Sequence, residues 1–208
     1  MLRILIDTCV WRHWFSFKAS PSCLSPALRA HSESFDMIYR LVSSSDRAEF
    51  LFNALVKHEL GDKYNSEFYN YIHPIAKKIV IPLTRFDGLY CLDGSILCGG
   101  RMGGSLNEFL TADGYPQDVM VKEAAAALSD GEKLYETKPR KRELDVEHME
   151  SALETEADLF ITNDESTIIR RLEAMSSRYD IDHPIHMILS ITKTPTSALP
   201  YVQEYLND

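Results

Sequence analysis

Four carboxylates stand at the ends or starts of regular segments in this chain: Asp7, Glu59, Asp145 and Asp164. Asp7 follows the apolar run Leu2–Ile6, and Asp164 lies just beyond a second run, Asp158–Thr162. Glu59 comes a few residues after a third, Phe50–Val56, and Asp145 opens a long helical stretch. Unpaired carboxylates brought within a few ångströms repel, and they cannot all ionise cheaply. Hard divalent cations relieve that repulsion, and Mg²⁺ or Mn²⁺ prefer such oxygen ligands. One or two of these ions activate water and stabilise the leaving oxygen of a phosphodiester. The chemistry that fits is metal-assisted phosphodiester hydrolysis. Each acid also has a plainer role open to it: Asp7 and Asp145 as helix-start acids, Asp164 as a cap, Glu59 as a first-turn glutamate.

These acids meet only if the elements carrying them share a sheet edge. Leu2–Ile6 reads as a central parallel strand, apolar on both faces. Val10, Trp11, Trp14 and Phe15 recur at helical spacing directly after Asp7, and Ser20–Pro26 breaks that helix. A second helix from about Ala27 carries Phe35, Ile38, Leu41 and Val42 on one side. Phe50–Val56 is the second strand and Ile79–Leu83 the third, entered from a short helix after Pro74. A helix from about Glu143 to Glu156 precedes the fourth strand, Asp158–Thr162. Another, about Ser166–Met175, precedes the fifth, Ile185–Ile191, and a short helix near Pro200–Leu206 follows. Alternating strands and helices imply an α/β sandwich on a mostly parallel sheet, with carboxyl strand ends as its ligand edge.

Between Gly88 and Gly114 lie seven of the nine glycines. That density reads as a long loop or flap inserted, with a helical segment from Pro116 to Leu128, at about residues 86–137 of one domain spanning 1–208. A net charge of −9 weighs against a non-specific nucleic-acid coat, although bound cations supply positive charge locally. The four cysteines lack zinc-type pairing, and the opening apolar run is too short for a signal peptide or a membrane span. The expectation is a reducing cytoplasm, free thiols and no membrane partner.

Ile4-Leu5-Ile6-Asp7-Thr8-Cys9-Val10 resembles the opening strand and first acid of PIN (PilT N-terminal) domains. The segment from Asp145 to Asp164 is similar to that family's second half. There an acid opens a helix ending Ala-Leu-Glu, and an Ala-Asp pair starts an apolar strand that ends in Thr-Asn-Asp. Val56-Lys57-His58-Glu59-Leu60 resembles the stretch around the second acid. The resemblance implies a three-layer α/β/α sandwich whose five parallel strands run in the order 3-2-1-4-5. It implies a Mg²⁺- or Mn²⁺-dependent endoribonuclease, with one or two ions held by Asp7, Glu59, Asp145 and Asp164 as metal ligands and catalytic residues. Thr8 or Thr162 would orient water there by hydroxyl hydrogen bonds, and His148 would stand behind the ligands. It further implies RNA as substrate, and often a toxin role with a small antitoxin protein as partner. Homo-oligomers stay open. Cys9 stands where many members have Asn or Ser, and the insertion makes the chain longer than the compact toxins.

Lys138, Arg140, Lys141 and Arg142 form a basic run that would grip RNA phosphates, or simply be a solvated charge run. Glu147, Glu150, Glu154 and Glu156 read as the solvated face of their helix, with Glu150 near enough in sequence to join the acids. Trp11 and Trp14 read as core, and His183 with His186 is poor evidence for zinc. A dehalogenase-type phosphatase would place an aspartate where Cys9 stands, and a receiver domain would carry further acids before Asp7. The remaining alternative is a catalytically inactive PIN-like module that binds RNA or protein.

Overall fold

The computed structural model describes residues 1–79, 91–92, 95–96 and 148–207. Strand β1 (Leu2–Ile6) leads through Asp7 into helix α1 (Thr8–Ala19). A short turn follows, then α2 (Pro26–Ser43), whose Ser25 cap and Pro26 mark a regular helix start. Next come β2 (Ala48–Phe52), α3 (Ala54–Leu60), a run of short helical turns reaching Ile72, and β3 (Ala76–Lys78). Strands β4 (Cys91–Leu92) and β5 (Ser95–Ile96) pair antiparallel as a separate ladder. The described part of α4 covers residues 148–154. It precedes β6 (Leu159–Ile161), a π-helical turn (Glu165–Ile169) running into α5 (Arg170–Ser176), α6 (Pro184–Ile191), β7 (Thr192–Lys193) and α7 (Pro195–Asn207).

The main sheet has the order β3-β2-β1-β6-β7, every pairing parallel. This is the expected 3-2-1-4-5 sheet. Alternation along the strands divides the core into two layers. Leu2, Ile4 and Ile6 of β1, with Phe50 of β2 and Ile161 of β6, pack against Trp11, Trp14, Phe35, Ile38, Ala198 and Val202. Leu5, Leu51 and Phe160 face the other way, against Met149, Ala152, Leu172, Met175, Ile185 and Ile188. Helices thus cover both faces, giving a three-layer α/β/α arrangement. Trp11 and Trp14 are fully buried among stacked and edge-on aromatic rings, as expected for core.

Four expectations need correcting. Ile185–Ile191 is helix, not strand; the fifth strand is Thr192–Lys193. Pro184 at the first helical position and the His183 ring accepting from Ile185 N–H start a helix there. The second strand stops at Phe52, because Asn53 caps α3. The third comes earlier than expected, at Ala76–Lys78 after a turn instead of a helix; residues 80–83 of the expected strand lie outside the described ones. Glu150 is 5% exposed, so it does not lie on a solvated face; residues 148–153 are all buried. The Pro116–Leu128 helix, and the glycine-rich segment apart from the β4–β5 ladder, fall outside the described residues. Among the described residues no helix is long and apolar enough to cross a membrane.

Candidate active site

Asp7 sits where β1 gives way to α1. Its backbone N–H extends the ladder to Ile161 C=O at 2.9 Å, and its side chain caps α1 by accepting from Cys9 N–H at 3.2 Å. The next residue on the neighbouring strand, Thr162, is fully buried and donates its hydroxyl to Asp7 Oδ2 at 2.6 Å. The Thr162 hydroxyl oxygen itself accepts the backbone N–H of Asp164 at 3.0 Å. One hydroxyl therefore ties the two aspartate residues at the carboxyl ends of β1 and β6, the adjacent strands at the point where strand order reverses. Asp164 Oδ1 in turn accepts from Thr167 N–H at 2.9 Å and from the Ser166 hydroxyl at 3.1 Å, which caps the π-helical turn.

Glu59 approaches from α3. Its Oε2 accepts the Thr8 hydroxyl at 2.5 Å and lies 2.7 Å from His148 Nε2. Burial raises the Glu59 pKa, but the His148 hydrogen bond, the Thr8 bond and the Arg12 charge outweigh it, so the carboxyl is held below its usual range. Both hydroxyls expected to orient water, Thr8 and Thr162, are thus engaged with carboxylates. Since Thr8 follows Asp7 directly, the Asp7–Thr162–Asp164 group and the Glu59–Thr8–His148 group are joined through one peptide.

Several residues here were not singled out from sequence. Asn53 Oδ1 accepts Val56 N–H as the α3 cap, which fixes the amide so that its NH₂ faces His148 Nδ1 at 3.1 Å and Ser151 Oγ at 3.2 Å. With Nδ1 accepting, the ring proton sits on Nε2 and is donated to Glu59. Reading the second strand through to Val56 hid this cap. Arg12 Nη2 donates to the Glu59 carbonyl oxygen at 2.8 Å. On the other flank, Asn163 Nδ2 lies 3.0 Å from His13 Nδ1, and Asn163 N–H donates to Cys9 Sγ at 3.3 Å. Burial first, then the Arg12 charge, lowers the His13 pKa.

Asp145 and the basic run Lys138, Arg140, Lys141 and Arg142 lie outside the described residues. Among the described residues no three His, Cys, Asp or Glu side chains form a group able to hold a metal. What fits a hard cation is Asp7 itself. The residue is only 7% exposed, its donors are a backbone amide, a hydroxyl and a thiol, and no cationic side chain forms a salt bridge with it among the described residues. A buried carboxylate with neutral partners alone is the kind of group a cation relieves. Neither a family model, a curated protein nor a solved structure matches the chain.

Proposed function

We propose that the protein is a Mg²⁺- or Mn²⁺-dependent endoribonuclease whose centre is Asp7, Asp164 and Glu59, with Asp145 as the fourth acid. The observation that carries this is the linkage of Asp7 and Asp164 through the Thr162 hydroxyl at the carboxyl edge of β1 and β6. The resemblance of Asp145–Asp164 to the PIN pattern supports the same conclusion. When bound, the ion supplies a Lewis acid for the scissile phosphate and lowers the pKa of water. The chain's own part is positional. Thr162 fixes Asp7 on one side, and Thr8 and His148 fix Glu59 on the other, so the carboxylates enter the reaction already oriented. The proposal extends to a cytoplasmic toxin restrained by an antitoxin.

Cleavage of an RNA panel in Mn²⁺ tests the activity. Asp7→Asn and Asp164→Asn each abolish cleavage while the unfolding midpoint stays close to that of the parent, since asparagine still accepts the capping hydrogen bonds. Mn²⁺ raises the unfolding temperature of the parent but not of Asp7→Asn. Turnover that survives excess chelator would remove the metal from the mechanism. RNA binding without any cleavage would point to the inactive binding module. Expression that slows growth, relieved by Asp164→Asn, checks the toxin role.

A further inference from the structure

Helix α1 carries Arg12 one turn beyond Thr8, so the two side chains share a helix face. Both reach Glu59, by different groups: the Thr8 hydroxyl binds its carboxylate, the Arg12 guanidinium its main-chain carbonyl. Arg12 is exposed, and among the described residues no carboxylate forms an ion pair with it. Its neighbours in the chain use their charge otherwise: Arg3 pairs with Glu49, and Lys18 and Arg40 with Asp36. Arg12 is therefore a cation pinned by a neutral acceptor beside a carboxylate centre. A guanidinium carries five donors in a fixed fork matched to phosphate, and the carbonyl uses one nitrogen of that fork. Arg47 is its counterpart at the opposite edge of the sheet: also exposed, anchored on the Leu206 carbonyl, but placed just before β2 at the amino ends of the strands.

We propose that Arg12 binds a backbone phosphate of a single-stranded RNA substrate on the Glu59 side of the centre and so sets the strand's register over Asp7. This rests on the ribonuclease function proposed above. The guanidinium lies close enough for its charge to act on Glu59, and it would offset the acidic surroundings that otherwise repel phosphate.

The test measures binding of a labelled single-stranded oligouridine in Ca²⁺ buffer across a salt series, and cleavage in Mn²⁺. Arg12→Gln weakens binding about 10-fold and lowers the salt-dependence slope by about 0.7, the share of one single-strand phosphate contact. Arg12→Lys recovers part of the affinity, and Arg47→Gln leaves both quantities unchanged. In cleavage the Arg12→Gln loss appears in KM. Thermal unfolding reports whether each variant folds; should Arg12→Gln fail to, Arg12→Lys still has to bind more weakly than the parent. Parental affinity, slope and KM in folded Arg12 variants would overturn the phosphate contact while leaving the hydrolysis intact. Arg12-dependent binding by a parent that never cleaves would do the reverse. A parent that binds no RNA overturns both.

Discussion

Cys9 shares the carboxylate of Asp7: its thiol donates to Oδ2 at 3.0 Å and its sulfur accepts the Asn163 N–H. Burial first, then the negative charge of Asp7, pushes the thiol well above its ordinary value of 9.0. A thiol kept protonated in the folded chain but ionising normally in the unfolded one makes stability fall with alkali. The unfolded state binds fewer protons once pH passes its thiol pKa. The stability advantage of the parent over Cys9→Ala is thus complete at pH 7 and shrinks as pH rises above about 9, where the unfolded thiol ionises. Urea unfolding at two pH values measures it. An undiminished advantage at the higher pH would show that the thiol does not remain protonated. In sequence, Cys9 reads only as a departure from Asn or Ser. Its contact with a carboxylate becomes visible once β1 and β6 are side by side, because half of its partners come from residues 162 and 163.

Helix α3 delivers Glu59 and is short enough for its two ends to matter. Asn53 both caps it and holds His148, so Asn53→Ala removes the cap and strands the ring nitrogen. The expected loss is about 1–3 kcal/mol in urea unfolding, and on the function proposed above RNA cleavage slows because Glu59 loses its fixed partner. At the other end Gly61 adopts φ 65° and ψ −176°, a region closed to side chains with a Cβ, although nothing lies within 4 Å of where one would point. Gly61→Ala therefore tests backbone strain alone, and a loss of about 1–3 kcal/mol is expected. Elements of this kind were partly legible. The break at Ser20–Pro26 and the periodic Phe35, Ile38 and Val42 announced α2, while its Ser25 cap went unread. Ile185–Ile191 was harder, since a short, mostly apolar run fits a buried strand as well as a buried helix. The deciding marks are Pro184, the buried pair Ile185 and Ile188 one turn apart, and Met187 standing 48% exposed between them.

At the scale of the molecule, the central strand comes first in sequence and its right-hand neighbour very late. Apolar strands and intervening helices imply only a mostly parallel sheet; the strand order and the switch point were legible through the resemblance to PIN domains. The location of Asp7 and Asp164 at that point followed from them. Charge networks such as Thr8–Glu59–His148 were not, because nothing local in a sequence says which hydroxyl meets which carboxylate across the fold. A chain cut before Ala157 has β1 paired with β2 alone, its other edge bare and the Leu5–Phe160 layer unfilled. Such a fragment is expected to unfold without a sharp cooperative transition in calorimetry, whereas the complete chain melts in one. The same arrangement has a consequence during synthesis. A nascent polypeptide emerging from the ribosome exposes Asp7 long before Thr162 and Asp164 exist to meet it. The centre proposed above cannot assemble before residue 164 has been translated, so the cell that makes this protein handles an open-edged intermediate until the strand beside β1 arrives.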